Sequence, residues 1–252
     1  MRLSTVLGIV ALLLPTLPPL AAQTNNVTIN GTSFSDWNDE NTSFDSNDGV
    51  NPACDDHPGQ GDVKGAGIAN NYDTVQPATT IYLRFDFDEV GAPGANTFDG
   101  CWLLDANGTG MVEQALCFTL QGNPTASLTE TRYFTCGDST IDTCAMDTSV
   151  SLPASASCAV GSATGADILN SCAGDTVDRG VECEIAIADL PIAISGDIVA
   201  LMQACSYNSK QPNSNGVDCV IDGNNPWTIN VTTGVTDTPT GVPVTLMSFT
   251  LE

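Results

Sequence analysis

The chain has 252 residues, with 30 acidic and six basic side chains and a formal net charge of −24 at pH 7. A field of this sign repels nucleic acid and anionic lipid and attracts cations, so the charge argues against nucleic-acid binding and membrane-surface roles. The length is sufficient to bury a core, and we predict a single all-β domain over residues 23–252.

Residues 1–22 have the pattern of a secretory signal peptide. Arg2 precedes an apolar run at 6–14, and the segment ends with the small residues Ala21 and Ala22. The apolar run is shorter than the roughly 20 residues that cross a bilayer, and no second run follows it. We therefore expect a secreted protein, extracellular or at the cell surface, without a membrane-inserted segment.

The segment 33–62 is rich in acids, with eight carboxylates and no lysine or arginine. Crowded like charges repel one another unless a cation neutralises them, and Ca²⁺ is bound by about six to eight oxygen ligands. The sequence predicts a Ca²⁺ site here, and a solvated acidic loop without metal is the alternative. The predicted metal ligands are Asp45, Asp48, Asp55, Asp56 and Asp62.

A second acidic motif, DANGTG at 105–110, is like the first half of many calcium loops. Asn and Gly also tolerate the left-handed backbone angles of hairpin turns. We favour the hairpin turn over a metal site at this motif.

Apolar residues alternate with polar ones along several segments, which predicts strands rather than helices. Residues 81–88 show the pattern best, with Arg84 and Asp86 on the polar side. Further strands are predicted at 26–30, 101–104, 112–120, 128–135, 181–187, 198–205, 227–231 and 242–251, with one short helix at 167–172. About nine strands joined by turns predict an antiparallel, jelly-roll-like β-sandwich, with a barrel as the alternative.

Ten cysteines in an exported chain predict disulfides that staple this fold, whereas a single histidine and the absence of Cys-x2-Cys argue against zinc. Cys101 and Cys117 lie on the two strands predicted on either side of the 105–110 turn, so they are expected to face each other across a hairpin. Local loop closure suggests the remaining pairs Cys136–Cys144, Cys158–Cys172 and Cys205–Cys219, leaving Cys54 and Cys183. Other pairings stay open, because spacing does not determine connectivity.

Three stretches together resemble bacterial secreted β-sandwich modules related to family 9 carbohydrate-binding modules and DOMON-like domains. INGTSFSDW at 29–37, followed by the acidic segment and IYLRFD at 81–86, is similar to the opening of these modules. GVECEIAIADL at 180–190 is similar to a later strand, and residues 205–219 to a disulfide-closed loop, although Asn30 replaces the usual aspartate. The resemblance implies a β-sandwich that binds sugar or haem, or that serves as a calcium-stabilised surface domain.

Exposed aromatic rings stack on the apolar faces of sugars, and two aromatic residues are predicted to bind a glycan in this way. They are Tyr207, in the loop 205–219, and Trp37, in the opening turn. Trp102, beside Cys101 in a predicted strand, is expected to lie in the core.

Catalysis has weaker support in the sequence. His57 is the only histidine, and no G-x-S-x-G motif surrounds a serine, which argues against a serine or cysteine hydrolase. A glycosidase needs only two acids, and strand carboxylates that point outward are available. These are Asp86, Asp88, Glu182 and Glu184, although such acids are usually only solvent-facing.

The sequence therefore predicts a secreted, non-enzymatic binding or structural module of the cell surface or extracellular matrix, stabilised by Ca²⁺. Its expected partners are divalent cations and glycans or surface proteins. Two alternatives stay open: a carboxylate-based glycan hydrolase or lyase, and a filament subunit that assembles through edge strands such as 242–251.

Overall fold

The computed structural model describes most of the chain between residues 63 and 237 and short pieces before it. The described residues are 27–29, 34, 36–37, 42–44, 63–72, 74–88, 97–122, 127–137, 143–163, 178–190, 194, 196–208, 210, 212, 216–221, 226–234 and 236–237. The predicted signal peptide 1–22, helix 167–172 and strand 242–251 lie outside them.

Thirteen strands and one 3-10 helix, Ile187–Asp189, make up the regular structure of the described residues. The strands are β1 (Thr42–Phe44), β2 (Val63–Asn70), β3 (Thr80–Asp88), β4 (Thr97–Asp105), β5 (Gln114–Gln121), β6 (Ser127–Cys136), β7 (Met146–Val150), β8 (Ser157–Ala163), β9 (Asp178–Ala186), β10 (Ile198–Tyr207), β11 (Cys219–Val220), β12 (Trp227–Asn230) and β13 (Thr236–Asp237). No helix in this part of the chain is long and apolar enough to cross a membrane.

The strands form two antiparallel sheets. The five-stranded sheet has the order β1-β2-β3-β9-β8, and the eight-stranded sheet has the order β13-β12-β10-β4-β5-β6-β7, with β11 paired to β10. Apolar side chains from both sheets pack together in one core. The predicted all-β, antiparallel β-sandwich is confirmed, with more strands than the nine or so expected.

Trp102 on β4 lies fully buried in the core, as expected. Phe85 of the opposite sheet meets its ring edge to face, with 5.8 Å between centroids, and the Phe118 ring lies 5.2 Å away. The indole Nε1 donates a hydrogen bond of 2.8 Å to the backbone carbonyl of Arg84. One side chain thus joins the two sheets by packing and by a hydrogen bond.

Reading apolar patterns along the chain identified several of the strands and missed others. Strand β2 is buried along its whole length, so its sequence, VKGAGIAN, does not alternate. The short strands β7 and β8 were also missed. Residues 27–29, predicted as part of a first strand, have no regular structure.

Four disulfides are present in the described residues: Cys101–Cys117, Cys136–Cys144, Cys158–Cys183 and Cys205–Cys219. Three of the predicted pairs are confirmed. The pair Cys158–Cys172 is wrong, because Cys158 on β8 lies directly opposite Cys183 on β9, with 4.1 Å between Cα atoms. Cys183 is therefore not available to pair with Cys54. Cys54 and Cys172 lie outside the described residues.

Candidate functional site

The outer face of the five-stranded sheet, turned away from the core, is covered by an N-terminal segment. We call the described residues 27–29, 34, 36 and 37 the strap. Phe34 and Trp37 of the strap pack with Ala69 and Tyr82 of the sheet. A Cβ atom on Gly180 would lie 2.5 Å from the Phe34 ring, so this glycine allows the strap to approach closely.

A buried ion pair lies beneath the strap. Arg84 and Asp86 are at most 1% exposed, although both were expected to face solvent. The Arg84 Nε donates to both carboxylate oxygens of Asp86, at 2.9 and 3.0 Å. The guanidinium carbon also lies 4.9 Å from the centre of the Phe34 ring. The strap and the sheet together enclose this ion pair, in which Arg84 contacts both carboxylate oxygens of Asp86.

Glu182 lies directly opposite Arg84 on β9 and is also fully buried. Its Oε1 accepts a hydrogen bond of 2.8 Å from the Trp37 indole nitrogen. The expectation that Asp86 and Glu182 are solvent-facing carboxylates is therefore wrong, because the strap covers them. Glu184 is half-buried, and the side chain of Asp88 lies outside the described residues.

Neither residue predicted to stack on sugar presents an exposed ring. Trp37 is 6% exposed and Tyr207 is 3% exposed. Tyr207 was expected in a loop, but β10 continues to it, and it pairs with Asp99 on β4. The exposure that sugar stacking requires is absent at both positions.

The turn between β4 and β5 is held by the buried carboxylate of Asp105. Its Oδ1 accepts hydrogen bonds from the backbone N–H groups of Asn107, at 3.0 Å, and Gly108, at 2.6 Å. Its Oδ2 accepts a bond of 2.7 Å from Gly110 N–H, and Gly108 and Gly110 both have positive φ. The hairpin-turn interpretation of this motif is confirmed.

Glu113, immediately before β5, completes the same turn. Its Oε2 accepts a hydrogen bond of 3.0 Å from Ala106 N–H, and its Oε1 is bonded to the Thr109 hydroxyl. Burial raises the pKa of Glu113, and the nearby charge of Asp105 acts in the same direction, while the two hydrogen bonds oppose the rise. The turn thus brings two carboxylates together, and both already accept hydrogen bonds from it.

The predicted calcium ligands Asp45, Asp48, Asp55, Asp56 and Asp62 lie outside the described residues. Among the side chains that are described, no group of three or more His, Cys, Asp or Glu is arranged to hold a metal ion.

A polar cluster lies on the outer face of the eight-stranded sheet. We call Asp99, Thr119, Glu130, Arg132 and Lys210 the outer polar cluster. The Arg132 guanidinium donates to the Thr119 hydroxyl at 2.7 Å and to Asp99 at 3.4 Å, and the Thr119 hydroxyl is bonded to Asp99. These three side chains come from β6, β5 and β4, so sheet pairing brings them together.

The exposed half of this cluster is formed by Glu130 and Lys210. Glu130 is 41% exposed and accepts a bond of 2.7 Å from the Lys210 Nζ, and Arg132 lies 3.5 Å away. The hydrogen bond from Lys210, with the positive charge of Arg132 acting in the same direction, lowers the pKa of Glu130. The two acidic side chains of the cluster, Asp99 and Glu130, are balanced in charge by Arg132 and Lys210, although the protein as a whole is strongly acidic.

Sequence reasoning missed the outer polar cluster. Lys210 lies in the loop that Cys205–Cys219 closes, and the other members lie on three strands. The available signal was the alternation of β6, which puts Glu130 and Arg132 on one face, and the scarcity of basic residues.

Comparison of the chain with protein-family models, with curated proteins and with solved structures found no match in any of the three.

Proposed function

We propose that the protein is a secreted, non-enzymatic binding or structural module of the cell surface or extracellular matrix. The observation that carries this proposal is the burial of Asp86 and Glu182 under the strap. A glycosidase needs two carboxylates that reach its substrate, whereas these two bind Arg84 and Trp37 within the protein. Asp86 and Glu182 therefore support structure rather than acid–base catalysis.

Disulfides support the extracellular part of this proposal. Four of them lie in the described residues, and such bonds persist in oxidising compartments. Three of the four join directly opposed residues of neighbouring strands. This covalent bracing suits a module that serves as a durable scaffold outside the cell.

Glycans are the ligand class that we assign to the outer polar cluster. The Glu130 carboxylate and the Lys210 ammonium group are exposed on this sheet face and can accept and donate the hydrogen bonds of sugar hydroxyls. Local charge balance lets a neutral, hydroxyl-rich ligand bind there despite the acidity of the protein. The resemblance of residues 29–37, 81–86, 180–190 and 205–219 to sugar-binding modules agrees with this assignment.

Binding to a glycan array, with the same glycans assayed for released reducing ends, tests this function. We expect binding without hydrolysis, and a loss of roughly tenfold or more in affinity when Glu130→Gln and Lys210→Gln are combined. Asp197→Asn, which neutralises an exposed acid elsewhere, is the matched control and should bind like the parent protein. Released reducing ends would favour the hydrolase alternative, and binding that survives the double substitution would remove the cluster as the ligand site.

Stabilisation by Ca²⁺ is the second part of the proposal, and it is based on the acidic segment 33–62. At 100 times the dissociation constant, a single bound ion stabilises a protein by about 2.7 kcal/mol, which corresponds to a rise of roughly 5–10 °C in Tm for a chain of this size. We expect millimolar Ca²⁺ to raise the Tm by this amount in a thermal unfolding experiment, and Mg²⁺ to raise it much less.

The location of the ion is tested with the same unfolding measurement. Replacing Asp45, Asp48, Asp55, Asp56 and Asp62 by Asn, singly, should reduce or abolish the rise in Tm, while Asp197→Asn should retain it. Superimposable unfolding curves in Ca²⁺ and in excess chelator would contradict Ca²⁺ stabilisation.

A further inference from the structure

Four cysteines lie side by side across four adjacent strands of the eight-stranded sheet. Cys219 on β11 pairs with Cys205 on β10, Cys205 also pairs with Cys101 on β4, and Cys101 pairs with Cys117 on β5. We call these four residues the cysteine row. They share the outer face of the sheet, so the disulfides Cys205–Cys219 and Cys101–Cys117 lie end to end.

The backbone pattern indicates how far apart the two disulfides are. Ser206 uses both its N–H and its carbonyl towards Asp218 and Val217, so its neighbour Cys205 directs its own backbone groups towards β4. Cys101 and Cys205 are therefore a hydrogen-bonded pair, whose Cα atoms are typically about 5.5 Å apart. This separation lies inside the usual range for a disulfide, so a Cys101–Cys205 bond requires little backbone movement.

The Cys117 end of the row has a basic residue on the neighbouring strand. Arg132 on β6 lies directly opposite Cys117. Its side chain is 12% exposed, and among the described residues its buried Nε has no hydrogen-bond acceptor. A guanidinium beside a cysteine stabilises the thiolate and speeds its departure in thiol–disulfide exchange.

The Cys219 end of the row is more accessible to solvent than the rest of the row. Cys219 is half-buried, whereas the other three cysteines are at most 1% exposed. A thiol from solution can therefore reach the Cys205–Cys219 disulfide at Cys219 more readily than it can reach any other sulfur of the row.

We propose that the cysteine row is a thiol–disulfide relay that responds to small thiols. A thiolate attacks the Cys219 sulfur and forms a mixed disulfide, releasing Cys205 as a thiolate. Cys205 attacks the Cys101 sulfur, so that a Cys101–Cys205 bond forms, the Cys101–Cys117 bond breaks, and Cys117 leaves and takes a proton from solvent. A second small thiol then cleaves the mixed disulfide, leaving a Cys219 thiol and an oxidised small-thiol dimer.

The relay has a defined structural result. Two small thiols are oxidised, and two protein disulfides become one that ties β4 to β10. The loop that Cys205–Cys219 had closed is released, and Lys210 of the outer polar cluster lies in that loop. The sheet stays covalently joined at its centre while one of its outer loops opens.

Cys219→Ser tests the relay without any added thiol, because it leaves Cys205 without its disulfide partner beside the Cys101–Cys117 disulfide. The folded protein is quenched in acid, unfolded, labelled with N-ethylmaleimide and mapped by peptide mass spectrometry. We expect the label on Cys117, with Cys101 and Cys205 joined. A label on Cys205, with Cys101–Cys117 intact, would overturn the proposal.

Matched variants separate the relay from general disulfide scrambling. Cys144→Ser leaves Cys136 as the unpaired partner, outside the row, and the label should stay on Cys136. Arg132→Gln should slow the appearance of label on Cys117 roughly tenfold when the natural chain is treated with limiting glutathione. If the Cys219 variant does not fold, the natural chain is treated with glutathione and mapped in the same way. A label on Cys117 then supports the relay, and a label on Cys205 with Cys101–Cys117 intact contradicts it. An unchanged rate in Arg132→Gln would exclude a role for Arg132.

Discussion

Replacement of Asp86 by alanine is expected to lower the free energy of unfolding by about 3–5 kcal/mol. Asp86 and Arg84 are buried beneath the strap, and the guanidinium binds both carboxylate oxygens. Removing the carboxylate leaves the buried Arg84 charge without the group that binds it at two oxygens.

Urea unfolding, followed by circular dichroism, measures this loss. Glu184→Ala is the control, because Glu184 is a half-buried acid at the same sheet face, and its removal should have a much smaller effect. Replacing Arg84 and Asp86 together by methionine and leucine should recover part of the stability, since the ion pair is then removed as a unit and the buried Glu182 keeps its hydrogen bond from Trp37. A loss below about 1 kcal/mol in the single variant would show that the pair is solvated in solution.

Trp102→Ala is expected to have an effect of similar size, about 3–5 kcal/mol, for a different reason. The substitution opens a cavity between Phe85 and Phe118 and removes the hydrogen bond to the backbone carbonyl of Arg84. Both sheets lose contacts, because Trp102 belongs to one sheet and Phe85 and Arg84 to the other.

A second substitution separates the two contributions of Trp102. Trp102→Phe keeps an aromatic ring and removes the indole N–H, so we expect a loss of about 1–3 kcal/mol in the same urea experiment. Val75→Ala, at a position that is 40% exposed, should change stability by less than about 0.5 kcal/mol. Equal stabilities of the alanine variant and the parent protein would mean that the core collapses around the missing ring.

The periodic part of the fold could be predicted from the sequence. Alternation in β3 and β9 identified both strands and the side chains that share each face. It could not show that Phe34 and Trp37 cover the polar face, because that contact joins residues far apart in the chain. For the same reason Asp86 and Glu182 were assigned to solvent.

Disulfide prediction succeeded where local geometry determines the pairing. Cys101 and Cys117 belong to one hairpin, so the two strands that flank a single turn bring them together. Cys158 pairs with Cys183 because β8 lies beside β9 in the sheet, and loop length does not contain that information. Tyr207 was misplaced because β10 extends beyond the residues that alternate clearly.

The strap also has a consequence for the order in which the protein is made. Its residues are synthesised first, yet Glu182, which accepts the hydrogen bond of Trp37, follows 145 residues later. Until β9 has been synthesised and has paired with β3, Phe34 and Trp37 lack the part of their surroundings that Gly180 and Glu182 provide. The early chain therefore carries exposed aromatic rings that a chaperone can hold, and completion of the fold waits for the second half of translation.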